Sequence, residues 1–517
     1  MPLPNITFIQ SPNGLGRPLT GTDYISGHLH YYASGATLPT GFTSSDRIKK
    51  VFSVADAEAL GITDAHLGET KAVAKLVIGG TPAVGDTVAI TYTGIDGVET
   101  VLSTYTMVLA DVTSTTTAAA ALKAAINLGT NTHGFTADNT TNSLFITTKG
   151  GEGIFPNSGT PYASTITGGT TGTWTQPTGS GSTVLGVASW IDTLHYHISE
   201  YFRIQPKGEL YVGLYEEEST TYTFAAITTM QNFAQGAIKQ IDVFEKNVAF
   251  SSAQATALQA IAAANAAVYK PLQIVLNAEI SGTASVATLT DLSTLTAPKV
   301  SVSIAQDGAG TGYHIYKATG KSVGIGGAML GAISFASVSD SIAWIQKFNM
   351  ASGGTELDTI AFANGQLYTA LADSQFQSLN NYAYVFLVKH IGITGSYFSD
   401  SKTTVISTSD YSTIENNRVY DKVTRVVRAA LLPSLSGPLK VNADGTLNLD
   451  TIGFFESLAN QPLIQMEADN ELSAHKVIIN PTQNVLSTST LELTIQLVPI
   501  GVARFIEVNV GFVVSVA

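Results

Sequence analysis

The sequence predicts a multidomain α+β or α/β protein, with a core of mixed sheet flanked by helices, an inserted β-rich domain, and extended N- and C-terminal arms. Three observations lead to this fold class. Helical and strand patterns alternate over 222–350, the composition changes abruptly over 71–185, and residues 501–517 follow a strand pattern rich in apolar side chains. With 517 residues, of which 44% are hydrophobic, the chain is long enough to bury several cores.

Charge is scarce in this chain. Only 13% of the residues are charged, about half the usual share in soluble domains, which indicates that partners cover much of the surface. The net charge of −13 argues against a general affinity for nucleic acid or anionic membranes. Cysteine is missing, so a disulfide framework and thiolate chemistry are excluded. No apolar run approaches the ~18 residues needed to cross a bilayer, and the N-terminus lacks the pattern of a signal peptide.

The N-terminal region is predicted to be an arm followed by the start of the core. Residues 1–20 hold several prolines around one short strand, in which Ile6, Phe8 and Ile9 are the apolar positions. Residues 21–70 together with 186–500 are predicted to form the core.

Residues 71–185 are predicted to be a β-rich domain inserted into that core. The segment is rich in Thr and Gly, and its strand patterns are separated by Gly, Asp and Asn turns. One helix, 117–127, interrupts the strands. The core pattern resumes at Trp190 with a helix.

Residues 222–350 are predicted to form the α/β part of the core. Three helix–strand pairs are expected: 222–234 with 238–244, 252–267 with 272–276, and 287–295 with 300–305. This order implies parallel strands joined by right-handed crossovers. A glycine-rich stretch then leads to a helix predicted over 340–348.

Residues 351–500 are predicted to form the C-terminal part of the core. Ser412 and Glu415 have the spacing of a capping box, so a long helix is expected to begin there and to end before Pro433. A further helix is expected over 451–459.

A basic stripe lies on one face of the long helix. Arg418, Lys422 and Arg425 recur at helical spacing on a chain otherwise poor in charge. Two interpretations stay open: a solvated helix face, or a surface that docks on an acidic partner.

Two strands are predicted near the C-terminus. Residues 491–497 alternate apolar and polar side chains, as a strand with one buried face does. After Pro499 and Gly501 comes a second apolar set: Phe505, Ile506, Val508, Val510, Phe512, Val514 and Val516. A strand this apolar must be paired, either in this subunit's own sheet or in a neighbour's sheet by strand addition.

Motifs that would indicate an enzyme are incomplete. Gly320–Ser322 reads GKS, but a phosphate-binding loop needs glycine where Ile315 stands. Gly324, Gly326 and Gly327 form only half of a dinucleotide fingerprint, because its third glycine would fall on Met329, and a loop packed near another backbone is the better interpretation. We expect no cofactor and no enzymatic activity.

Two His-x-His pairs, His28 with His30 and His195 with His197, are candidate metal ligands. The second pair lies in a helical context, where positions i and i+2 point apart. Histidines satisfied by other contacts are the better interpretation for both pairs, since a site also needs convergent ligands.

Six segments resemble the contractile tail sheath proteins of bacteriophages and related injection machines. They are FSVADAEALGI (52–62), LHYHISEYFRIQPKGELYVGLY (194–215), GITGSYFSDSKTTV (392–405), TIENNRVYDKVTRVVRAALLP (413–433), INPTQNVLSTSTLEL (479–493) and VPIGVARFIEVNVGF (498–512). The resemblance covers about 1–70 and 186–517 and rests on order and pattern, with no catalytic motif.

The resemblance implies a structural protein of the virion, assembled in the host bacterial cytoplasm. Sheath subunits form a homo-oligomeric helical stack of rings around a tail tube protein, between baseplate and tail terminator proteins. They lend terminal strands to neighbours, and contraction drives the tube through the host envelope for genome ejection. The resemblance also makes Arg418, Lys422 and Arg425 candidates for a tube-facing surface, and the insert would then project outward.

Other interpretations remain. The chain could be another phage tail or baseplate structural protein, or the sheath of a phage-derived injection system. More distant alternatives are a nucleotide-dependent enzyme and an adhesin that binds glycans through residues 71–185.

Overall fold

The computed structural model describes residues 21–218, 221–351, 355–508 and 510–512. Ile6, Phe8 and Ile9 of the predicted N-terminal arm lie outside these residues, as do Val514 and Val516 of the predicted C-terminal strand.

The described strands are, in chain order, β1 Ser26–Tyr32, β2 Ile48–Val51, β3 Val73–Gly80, β4 Thr87–Thr93, β5 Glu99–Thr106, β6 Thr136–Thr140, β7 Ser143–Thr147, β8 Tyr162–Thr167, β9 Thr170–Thr175, β10 Leu210–Glu216, β11 Gln240–Phe244, β12 Gln273–Asn277, β13 Thr296–Ala297, β14 Val300–Ser303, β15 Ala305–Asp307, β16 Ile360–Phe362, β17 Tyr384–Val385, β18 Leu387–Val388, β19 Tyr397–Phe398, β20 Thr404–Val405, β21 Leu472–Ile479 and β22 Leu493–Pro499.

The described α-helices are α1 Val54–Ala59, α2 Thr115–Leu128, α3 Thr130–His133, α4 Trp190–Ile204, α5 Ala225–Phe233, α6 Ser252–Ala267, α7 Thr311–Thr319, α8 Gly326–Phe335, α9 Asp373–Asn381, α10 Ile414–Leu431, α11 Leu449–Ala468 and α12 Val485–Thr488. Short 3₁₀ turns lie at Phe155–Asn157, Val286–Thr288, Tyr368–Ala370 and Leu432–Ser434.

The core of the molecule is a seven-stranded sheet in the order β17-β14-β12-β11-β1-β10-β2. Its pairs are parallel except for β10 with β2. Leu29 of β1 pairs with Gly213, which faces Met230 of α5, whereas the neighbouring His28 contacts His197 of α4. Successive residues of a strand point to opposite faces, so helices cover both sides of the sheet. The predicted mixed α/β class is confirmed.

Two predicted helices of the α/β part are wrong. Residues 287–295 hold only the 3₁₀ turn at Val286–Thr288, and the Asp291 carboxylate accepts from the Ser293 backbone N–H at 2.8 Å. Such local bonds compete with a helix. Residues 340–348 form turns.

The helix of this region is α8, which begins within the glycine-rich stretch and was not predicted from the sequence. Its Gly327 packs so closely on α4 that a β-carbon there would overlap the His197 carbonyl oxygen. The expected close approach to another backbone is present, but it occurs at the start of a buried helix instead of in a loop.

Residues of the predicted insert form two sheets, β6-β7-β3-β9 and β5-β4-β8, around a hydrophobic cluster of their own. Leu122 and Ile126 of α2 are fully buried in that cluster. The segment joins the rest of the chain through two adjacent chain segments, since Thr70 forms an isolated antiparallel bridge with Val187. The domain division itself remains a prediction.

The C-terminal part is built on α10 and α11, which pack together beneath β21 and β22. The N-cap of α10 is Thr413, without a side-chain capping bond, so the predicted capping box between Ser412 and Glu415 is not formed. Helix α11 is longer than predicted and continues through Pro462, because Leu463 and Met466 beyond the proline are buried against the neighbouring elements.

Candidate functional site: the C-terminal sheet and ribbon

Strands β21 and β22 form a platform with a single apolar face. They pair antiparallel, with Val477 opposite Ile495. Leu493, Ile495 and Leu497 of β22 turn toward α10 and α11, while the polar residues between them are exposed. Within the described residues this sheet has two strands, so each strand has one edge without a partner strand. Such an edge presents backbone groups ready to accept another strand.

The chain that follows β22 exposes its apolar side chains. We call residues 505–508 and 510–512 the ribbon; they lie in no described helix or strand. The exposed fractions are 93% for Phe505, 82% for Ile506, 73% for Val508, 90% for Val510 and 110% for Phe512. Contiguous exposure of large apolar side chains marks an interaction site on a folded protein.

Arg504, the residue before the ribbon, is bonded to side chains elsewhere in the subunit. Its Nε donates to Asp400 Oδ1 at 3.0 Å, and one Nη donates to Glu415 Oε1 at 2.5 Å and to the Ser401 hydroxyl at 3.2 Å. Glu415 is only 2% exposed. A guanidinium that bonds two carboxylates is held in one orientation, so the position of the chain at Arg504 is fixed.

The basic stripe of α10 is engaged within this chain. Arg418 is buried and donates to the carbonyl oxygens of Ala336, Ser337 and Asp23. Lys422 pairs with the Asp23 carboxylate at 2.9 Å, and Arg425 pairs with the same carboxylate. In this structure the stripe is therefore neither a solvated face nor a free docking surface, and its contact with a tube stays a prediction.

The electrostatics of this cluster follow from burial and pairing. Burial lowers the pKa of Arg418 to about 10, against the attraction of Asp23. Burial alone would raise the pKa of Asp23, but Arg425 and Lys422 outweigh it and leave that pKa lowered. Burial would lower the pKa of Lys422, yet Asp23 and Glu471 leave it raised.

Three of the histidines considered as ligands meet inside the core. His28 Nδ1 lies 2.9 Å from Asp242 Oδ2, and His28 Nε2 lies 3.3 Å from His30 Nδ1. The rings of His28 and His197 are 5.3 Å apart. Burial, followed by the neighbouring His28, holds the pKa of both His30 and His197 well below the ordinary value. His195 lies apart, 3.4 Å from Glu58.

Two other kinds of site are absent from the part of the chain that the structure describes. Across the described ranges, no group of three or more His, Cys, Asp or Glu side chains is arranged to hold a metal ion. Helices long and apolar enough to cross a membrane are missing from the same ranges.

The GKS sequence has a structural role at the end of a helix. Gly320 ends α7 in the left-handed conformation, with φ of 64°. The Ser322 hydroxyl donates to the Ala363 carbonyl at 2.6 Å. A phosphate-binding loop would instead precede a helix and leave its hydroxyl free.

Sequence reasoning did not identify Arg504 or Asp23 as members of the site. Arg504 had one visible signal, since it is the single Lys or Arg after Lys476 in the whole sequence. Asp23 had no such signal, because Arg425, one of its two cationic partners, lies 402 residues further along the chain.

Comparison with known proteins gave matches to two family descriptions. "DUF2586, N-terminal domain" matches residues 143–402, and "DUF2586, C-terminal domain" matches residues 410–517. The first match begins within the predicted insert. No curated protein matches the chain in sequence.

Several solved structures are similar to the chain at low sequence identity. A chain of the anti-feeding prophage baseplate is 14% identical with a TM-score of 0.42, covering 62% of this chain and 80% of that one. A chain of the PVC sheath complex in the contracted state is 15% identical with a TM-score of 0.40, covering 62% and 81%. The sheath tail protein Lin1278 from Listeria innocua is 11% identical with a TM-score of 0.39, covering 93% and 96%.

Proposed function

The chain belongs to the DUF2586 family, and we propose that it is the structural subunit of a contractile tail sheath, which polymerises helically around an inner tail tube. The observation that carries the proposal is an exposed apolar ribbon beside a sheet with open edges. Two of the six sequence segments that resemble sheath proteins, 479–493 and 498–512, overlap β21, β22 and the ribbon.

Strand exchange between copies explains both features at once. A ribbon laid along the edge of β21 or β22 in another copy gains backbone hydrogen bonds of about 1 kcal/mol net each. Burial of each large apolar side chain, such as Phe505 or Ile506, adds about 1.5–3 kcal/mol. Because the donor and acceptor surfaces differ, a one-way exchange is head-to-tail, and it can build an open helical array where the rotation between copies does not close a ring.

The remaining parts of the proposal follow the resemblance. The partners are further copies of this chain, a tail tube protein, and baseplate and tail terminator proteins, in a virion tail or a related injection particle. Contraction is a change between two sets of subunit contacts, and the exchanged strands persist through it. Tube contact through Arg418, Lys422 and Arg425 is part of the proposal, and it would require release of their contacts with Asp23.

Truncation after Arg504 tests this function. The full chain is expected to form hollow, striated cylinders by negative-stain microscopy, and a chain ending at Arg504 is expected to stay folded but unassembled. Ile391, which is fully exposed outside the ribbon, offers a control: Ile391→Ser should assemble normally, whereas Ile506→Asp should not. Cylinders formed by the truncated chain would refute strand exchange.

A further inference from the structure

We propose that Arg504 prevents the ribbon from pairing with its own subunit and thereby reserves it for another copy. This inference rests on the proposed function. The ribbon could pair with the β21–β22 sheet of its own subunit or with that of another copy, and its exposure alone does not determine which pairing forms.

Self-pairing is the outcome that local geometry favours. Strand β22 ends at Pro499, and residues 500–503 are a loop of ordinary hairpin length. The free edge of β22 would be the nearest acceptor for the ribbon. Within this loop the Arg504 backbone N–H donates to the Val502 carbonyl at 3.1 Å, which bends the chain locally at Ala503.

The apolar pattern favours one register for such a hairpin. If Arg504 stood opposite Pro499, Ile506 would lie opposite Leu497 and Val508 opposite Ile495. Residues directly opposite each other point to the same face, so the apolar side chains of both strands would meet the α10–α11 core. A shift by one residue would put the ribbon's apolar side chains in solvent.

In that register Arg504 would be the first paired residue of the ribbon strand. Its side chain, however, is bound to Asp400, Ser401 and Glu415, outside the β21–β22 sheet. Closing the hairpin would detach the guanidinium and leave Glu415, 2% exposed, without this cation. Leaving a buried carboxylate without its cation is unfavourable.

The cysteine-free chain allows a direct test by disulfide trapping. Gln496 and Glu507 are both exposed, and they would stand opposite each other in the self-paired register. In the full-length Gln496→Cys/Glu507→Cys chain, dilute oxidation should give little intrachain disulfide while Arg504 is present. Adding Arg504→Met with Glu415→Gln should raise the intrachain yield several-fold, as measured by peptide mass. The second change removes the buried charge of Glu415, and Asp400 keeps Lys402 at 3.6 Å.

Assembly provides the second readout. The same Arg504→Met/Glu415→Gln exchange in the cysteine-free chain should abolish cylinders. Arg504→Lys keeps a charge beside Glu415 but loses the two-pronged geometry, so it should shift both readouts in the same direction by less. That milder variant keeps the test valid if the double variant folds poorly.

The outcomes separate this inference from the proposed function. An unchanged intrachain disulfide yield, or normal cylinders from the double variant, would overturn the role of Arg504 while the truncation after Arg504 still blocks assembly. Cylinders from the truncated chain would overturn the exported ribbon itself, and the role of Arg504 with it.

Discussion

Replacing Asp23 with asparagine should loosen α10 without changing the fold. The carboxylate pairs with both Lys422 and Arg425, and the three side chains are only 19–22% exposed. Hydrogen bonds to charged groups contribute about 1.5–3 kcal/mol each. Lys422 keeps Glu471 at 2.5 Å, so most of the loss falls on Arg425, and we expect a total of about 2–3 kcal/mol.

Hydrogen exchange is the suitable assay, because a chain with several cores need not unfold in one step. A loss of 2–3 kcal/mol corresponds to about 30- to 150-fold faster exchange of peptides from 414–431. Exchange in α6, which lacks Asp23 contacts, is the internal control. An Arg425→Met variant combined with Asp23→Asn should be less than additive.

The pH dependence of this contact has a defined sign. The folded pKa of Asp23 is lowered below 3.8, so its stabilisation is fully present above that pH and is lost as the pH falls through the folded value. Protection of α10 should therefore drop at acid pH in the parent and drop less in Asp23→Asn. Exchange of 414–431 within twofold of the parent at neutral pH would refute the assigned role of Asp23.

Two further predictions concern the core. The pKa values of His30 and His197 lie well below 6.5 when folded, so the unfolded chain takes up protons that the folded chain does not, and stability should fall as the pH drops below about 6.5. His30→Leu should flatten this dependence in chemical denaturation at pH 5 to 7, and an unchanged slope would contradict the assignment. Gly327→Ala forces a β-carbon against the His197 carbonyl and should destabilise by about 1–3 kcal/mol. The matched change Gly453→Ala, in an exposed part of α11 with open space around it, should stabilise by about 0.5–1 kcal/mol, and equal effects of the two would count against the packing argument.

The elements that sequence reasoning found are those whose burial is visible in local pattern. Helix α6 was predicted with its observed bounds, because its run of alanines is bounded by Ser251 and Val268. Strand β12 has three consecutive apolar residues, Ile274 to Leu276, and β11 carries Ile241, Val243 and Phe244 in the same buried parallel sheet. Helix α8 was missed because glycine is a poor helix former, and its stability comes from the close packing on α4.

The candidate site was predictable in part for the same reason. The apolar residues of the ribbon are visible as a pattern, but their exposure depends on where the chain leaves the subunit. That point is set by Arg504 meeting Glu415, residues distant in sequence and paired only through the fold. The stripe on α10 likewise shows its spacing in the sequence, while its partner Asp23 does not.

Helix α10 is tied to both ends of the described chain. Asp23, near where the described part begins, holds its middle, and Arg504, at the base of the ribbon, holds its first turn. In the proposed lattice, tension entering a subunit through one arm would reach the other arm along the hydrogen-bonded axis of this single helix.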